Sequence, residues 1–166
     1  YRNFPAYAYA TQAVIVEVDT SSGQVKVLKI IAAHDVGRAI NPRIIEGQIH
    51  GSCSMGQGYA LTEGYPTEKG YPVKTRYKDL GLPKAGDTPE YELVLIEDPE
   101  PLGPYGAKGI SEIATVPVTP AIINAISRAI GVRINRVPAT PEVILEAIRT
   151  GRCEVPTMEE LTSALH

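Results

Sequence analysis

Residues 13–31 read AVIVEVDTSSGQVKVLKII, and the fold turns on how this stretch is read. Val14, Val16 and Val18 alternate with other residues. Asp19-Thr20-Ser21-Ser22-Gly23 then supplies turn chemistry, and Val25, Val27, Lys29 and Ile31 resume the period of two. Alternation on both sides of a turn cluster predicts a β-hairpin. Ile15, Leu28 and Ile30 make the opposite face apolar as well, which predicts a strand pair covered on both faces.

Further strands are expected at Tyr91–Ile96 and, shorter, at Val132-Arg133-Ile134. Helices are expected wherever a capping side chain precedes proline, because proline is tolerated in the first turn. Asn41-Pro42 opens one running to about Thr62. Thr119-Pro120 opens a second, with Ile122, Ala125, Ile126 and Ala129 at helical spacing before Gly131. Thr140-Pro141 opens a third, with Val143, Ile144, Ala147 and Ile148 on one stripe and Gly151 behind it. A short helix is expected from Thr157, where Glu160 completes a capping box. Together these give an α+β fold with a mixed, mainly antiparallel sheet and helices packed on it. Residues 1–150 form one unit and 151–166 a tail.

The 166 residues suffice for one domain with a real core. A net charge of −3 leaves no broad basic face for nucleic acid. No apolar run approaches the roughly 20 residues of a membrane span, and the start lacks a charged-then-apolar leader. Cys53 and Cys153 match no metal spacing or disulfide framework, which suits a reducing, cytoplasmic compartment. Opening on YRNFPAYAYATQ without an initiator methionine, the chain reads as a piece of a longer protein or a processed subunit.

Two stretches carry chemistry. Gly47, Gly51, Ser54 and Gly58 fall at helical spacing, leaving one helix face almost bare. Each glycine costs roughly 0.5–1 kcal/mol relative to alanine in a helix interior. Close approach to another backbone would offset that cost, and so would a bulky cofactor lying along the helix. Gln48 and His50 flank this face, and a glutamine offers donors and an acceptor to a heterocycle edge. The second stretch, Gly103–Glu112, reads GPYGAKGISE. Glycines at 103, 106 and 109 permit positive φ, so amides could converge into an anion-binding nest. Glu112 then favours a helix start or acts as a base aimed into a pocket.

The motifs Asp35-Val36-Gly37-x-x-x-Asn41-Pro42, Gly47-Gln48-Ile49-x-Gly51, Gly103–Glu112 and Ala139-Thr140-Pro141-Glu142, in this order, resemble the C-terminal part of the molybdopterin-binding large subunit in the molybdenum hydroxylases, the xanthine dehydrogenase and aldehyde oxidoreductase family. The resemblance covers roughly residues 9–150. It implies a molybdopterin-type molybdenum cofactor, in its cytosine dinucleotide form, held through the pterin dithiolene with no protein ligand to the metal. It also implies iron–sulfur clusters and FAD on other domains or subunits, and the rest of the large subunit as partner. By that resemblance Glu112 is the general base, Gln48 contacts the pterin, and Lys108, Gly109, Ile110 and Ser111 pass against the cofactor. The implied reaction is hydroxylation of an N-heterocycle or aldehyde with water as oxygen source. Partial burial is expected to raise the pKa of Glu112 toward working pH. Ser111 stands where the family usually has glycine. His34 and His50 are expected to be structural. The chain supplies one wall of such a site, so alone it is expected to be inactive. The alternative is a binding or scaffold module that kept the fold and lost the chemistry.

Overall fold

The computed structural model describes residues 6–153. The hairpin forms as its alternation requires. Strands β1 (Ala10–Val18) and β2 (Val25–Asp35) pair antiparallel, with Ala10 opposite His34 and Val18 opposite Val25. The turn is organised by one carboxylate: Asp19 accepts from Ser21 Oγ at 2.6 Å, Ser22 Oγ at 2.7 Å and the Ser21 amide at 2.8 Å. These hydrogen bonds, the Ser21 hydroxyl first among them, hold its carboxyl well below the usual carboxylate range. Gly23 closes the turn at φ +75°, where an added Cβ would stand 2.4 Å from the Pro141 carbonyl oxygen. Gly23→Ala is therefore expected to lower stability by about 2 kcal/mol or more, combining left-handed strain with a backbone clash. Urea unfolding of the two proteins checks this.

Asn41 caps the long helix α1 (Pro42–Leu61), its Oδ1 accepting from the Ile44 amide at 3.2 Å. A two-residue-stranded hairpin follows, β3 (Thr67–Glu68) with β4 (Tyr71–Pro72). The chain then returns as β5 (Glu90–Ile96), parallel to β2. Parallel neighbours need a crossover, and α1 lies within this one. The three-stranded sheet, ordered β1-β2-β5, is therefore mixed, with one antiparallel and one parallel pairing. Helices α2 (Glu112–Thr115), α3 (Val118–Ile130) and α4 (Pro141–Thr150) complete the α+β fold. The last two stop at left-handed glycines, Gly131 and Gly151.

The core sits between one face of the sheet and the helices. Ile30 of β2, Ile49 of α1, Ile122 and Ile126 of α3 and Ile144 of α4 are all fully buried. Burying each side chain contributes about 1.5–3 kcal/mol. At the crossing of α1 and α3, a Cβ on Gly56 would stand 1.9 Å from Val118 Cγ1. Thr119 Oγ1 donates to the Gly56 carbonyl at 2.8 Å across that contact.

Several sequence expectations need correction. Helix α3 begins at Val118, before the Thr119-Pro120 pair, because the Thr119 hydroxyl bridges to α1 instead of capping its own helix. Residues 132–134 form no strand. Ile134 is buried, and its amide donates to Ser127 Oγ at 2.9 Å, so its apolar character serves packing. The sheet is not covered on both faces among the described residues. The helices take the face bearing Val14, Val16 and Ile30, while Ile15 of β1 is 50% exposed and Val94 and Ile96 of β5 are exposed on the same outer face. Lys29, on that outer face, pairs with Glu90 at 3.1 Å and Glu92 at 2.7 Å. Leu28 is left without a strand partner by a β-bulge between Ile15 and Val16. The stretch Glu112–Ile130 is long and apolar enough to cross a membrane by length and composition. It is split between two helices, and Val118, Ile122, Ile123 and Ile126 line the core. The expected helix at Thr157 lies outside the described residues.

Candidate functional site

The stripe of Gly47, Gly51, Ser54 and Gly58 on α1 divides in two, and Gly56 lies on the opposite side of the helix. Gly56 and Gly58 are buried in contacts, Gly56 against Val118 and Gly58 within 2.9 Å of Glu63 and Pro83 for an added Cβ. Nothing lies within 4 Å of the Cβ position at Gly47 or at Gly51. The C-terminal half of the helix thus uses its glycines for packing, and the nearest atoms there belong to side chains, where the sequence suggested another backbone. The N-terminal half leaves an open face, and Gln48 is exposed between its two glycines. His50 has its ring centroid 4.6 Å from that of Tyr91 on β5, a structural role as expected.

The loop carrying Lys108 is tied to the end of β2 by backbone and by charge. The Arg38 amide donates to the Gly106 carbonyl at 2.8 Å, and the Lys108 amide to the Val36 carbonyl at 3.0 Å. Gly37 and Ala107 form an antiparallel bridge. A Cβ at Gly37 would stand 2.4 Å from the Gly106 oxygen, so the approach requires glycine there. The expected anion nest does not form in this part of the loop. Of its glycines, Gly106 takes positive φ, beside Tyr105 at φ 55°, whereas Gly103 sits at φ −83°. The amides of Gly103, Gly106, Ala107 and Lys108 already donate to carbonyls of the chain.

Lys108 turns its side chain inward. Its Nζ stands 2.6 Å from Asp35 Oδ2, with the two side chains 5% and 8% exposed. Asp35 Oδ1 accepts from the Gly37 amide at 3.0 Å. Burial pushes the Asp35 carboxyl up, but the Lys108 ammonium and the Gly37 amide outweigh it and hold the group below its ordinary value. The same hydrogen bond raises the pKa of Lys108. With its ammonium engaged, Lys108 offers a neighbouring group its backbone and not its charge. Gly109 and Ser111 are exposed, and Ile110 packs against the core.

Glu112 is the first residue of α2, a single turn packed against α1. Its carboxylate is exposed, and Ser111 Oγ donates to Oε2 at 2.5 Å. That hydrogen bond, followed by one from the backbone, lowers the pKa of Glu112. The direction is opposite to the expected rise, because the side chain is solvated and bonded in its charged form. Beyond it, the Ala114 carbonyl accepts from Gln12 Nε2 at 2.9 Å. Gln12 Nε2 also lies 3.2 Å from His34 Nε2. An amide NH2 only donates, so this imidazole nitrogen accepts, while His34 Nδ1 and Gln12 Oε1 are buried with no hydrogen-bond partner among the described residues. Burial pushes the His34 pKa down, in keeping with a neutral, structural ring. Neither Gln12 nor the Asp35–Lys108 pairing is singled out by sequence reasoning. A carboxylate ending a strand whose last residues before His34 are apolar was the available signal, since such a group, once buried, needs a cation.

A bare helix face flanked by an exposed glutamine, and a carboxylate opening a turn that packs on the same helix, are the features this α+β domain brings together. The molybdopterin cofactor-binding domain family matches residues 1–89. A probable xanthine dehydrogenase subunit from Bacillus subtilis is 36% identical over 142 residues, 86% of this chain and 19% of that protein. The aldehyde oxidoreductase of Megalodesulfovibrio gigas is 36% identical over 147 residues, 88% of this chain and 16% of that protein. The crystal structure of quinoline 2-oxidoreductase from Pseudomonas putida 86 superposes with a TM-score of 0.81 at 35% identity, covering 86% of this chain and 19% of that one. The chain belongs to the molybdopterin cofactor-binding domain family of the molybdenum hydroxylases. It spans less than a fifth of the length of these relatives.

Proposed function

We propose that this chain forms one wall of a molybdenum cofactor site, and that Glu112 is the general base for oxidative hydroxylation of an N-heterocycle or an aldehyde with water as the oxygen source. The observation carrying this reading is the open face at Gly47 and Gly51, on the helix against which the Glu112 turn packs. The residues fit such a group, since a flat, bulky cofactor can lie where two missing side chains leave the backbone accessible. Gln48 would hold its edge through amide hydrogen bonds, and the backbone of Lys108, Gly109, Ile110 and Ser111 would pass beside it. When bound, the cofactor supplies the two-electron oxidation and lowers the pKa of the water that becomes the product oxygen.

The chain's own part is proton transfer and orientation. The Glu112 carboxylate accepts the proton, a role worth on the order of 10²–10⁴ in rate. Ser111 keeps it ionised and oriented from one side. Because the Glu112 pKa is depressed, the base is charged throughout the neutral range and is lost only as pH falls through that lowered value. Ser111→Ala removes the largest cause of the depression. It is expected to move the acid limb of the kcat/KM profile upward in pH, and an unmoved limb would count against the base assignment.

The reading includes the cytosine dinucleotide form of the cofactor, electron carriers of the iron–sulfur and flavin type on other domains or subunits, and a cytoplasmic location. Its support is the nature of the relatives, one of them a subunit, and the two free thiols Cys53 and Cys153. Gln48→Ala tests the cofactor contact. It removes a hydrogen-bonding group but no proton acceptor, so molybdenum content should fall while the turnover per bound molybdenum changes less. Unchanged metal content would remove Gln48 from the site.

A further inference from the structure

The Glu112 turn is too short to hold itself. A four-residue helix has a single turn, and isolated turns of this size do not persist in water. Packing on α1 and the helical link through Val116 and Pro117 into α3 hold its C-terminal side, and the structure adds a polar anchor on each flank. Before Glu112, the Lys108 ammonium is buried against Asp35 at 2.6 Å, and the same stretch of backbone is bridged to residues 36–38. After Glu112, the Ala114 carbonyl takes the Gln12 amide at 2.9 Å, and Gln12 is held in turn by the buried His34 ring. His34 and Asp35 are consecutive residues at the end of β2, so one strand end anchors both flanks of the turn.

Resting on the assignment of Glu112 as the base, we propose that Asp35 and Lys108, together with Gln12, are positioning residues that fix the Glu112 carboxylate for proton transfer. Their side chains need not touch substrate or cofactor. Their effect is geometric: a displacement of about 1 Å at a reacting group can cost roughly 10²-fold in rate. A buried ion pair is poorly explained by stability alone, because near-isosteric neutral replacements of both partners are often no less stable. Fixing a loop in one register is a further use for such a pair.

The experiment follows from that contrast, in the intact enzyme carrying this chain. The double variant Asp35→Asn/Lys108→Met removes both charges while keeping volume, and leaves no unpaired buried ion. Thermal unfolding is expected to stay close to wild type. Hydrogen exchange of peptides spanning 109–116 should nonetheless speed up, and kcat should fall about 10- to 100-fold with KM little changed. Gln12→Met should speed exchange in the same peptides from the other side. If the double variant keeps wild-type exchange and kcat, the pair is merely structural and the proposal falls. The Glu112 assignment is judged apart, by Glu112→Gln. Should that variant keep its turnover, the base reading fails, whereas the exchange result would still report whether the two anchors hold the turn.

Discussion

Placing alanine at both Gly47 and Gly51 is expected to stabilise the fold and damage the enzyme. Both positions lie inside α1, and an added Cβ at either meets nothing within 4 Å. Alanine in a helix interior is favoured over glycine by roughly 0.5–1 kcal/mol, so two replacements should raise stability by about 1–2 kcal/mol. The methyl groups would project into the face on which the cofactor is proposed to lie, and bound molybdenum should fall sharply. Larger side chains such as Gly51→Leu should abolish loading. Gly56→Ala serves as the contrast within the same helix. Its Cβ would meet Val118 Cγ1 at 1.9 Å, so overpacking should cost about 1–3 kcal/mol. Thermal unfolding and metal analysis of the three proteins separate the readings. Stability gained at Gly47 and Gly51 with full metal loading would mean that the bare face serves some other partner.

Much of this architecture was legible in the sequence because local rules and packing agree. The hairpin follows from alternating valines around an Asp-Thr-Ser-Ser-Gly turn, and α1 and α4 begin at the prolines that mark them. Agreement failed where a side chain served a distant contact. Thr119 looks like a cap but donates to Gly56, and Val132 to Ile134 look like a strand but pack against α3 and the core. The outer face of the sheet shows the limit of pattern reading. Ile15, Val94 and Ile96 record that apolar residues are present, while alternation alone cannot say whether anything covers them.

The candidate site was legible in part. Gln48 and Glu112, both picked out from their motifs, lie exposed on helices that pack together, and their roles remain the proposal made above. Lys108 could not be placed from spacing, since its partner Asp35 is 73 residues away in the chain. The protonation behaviour of Glu112 was also hidden. Sequence suggests a buried acid with a raised pKa, but the Ser111 hydroxyl at 2.5 Å reverses the direction. That reversal has a consequence for mechanism. In the proposed role, a lowered pKa leaves Glu112 charged and ready to accept a proton and quick to return it to solvent before the next turnover, at the cost of some proton affinity.

Glu112→Gln carries the largest expected effect on rate. Glutamine keeps the shape of the side chain and can still accept the Ser111 hydrogen bond, yet it cannot take a proton at neutral pH. The loss should therefore fall on the chemical step, by on the order of 10²–10⁴, and not on folding or loading. If Glu112 served only to favour the start of α2, its replacement would cost no more than typically 0.3–1 kcal/mol of helix stability and leave the rate nearly intact. The measurement that separates these is molybdenum content and turnover determined on the same purified sample of the Glu112→Gln enzyme. The account predicts wild-type molybdenum with turnover lost; full molybdenum loading with near-wild-type turnover would contradict it.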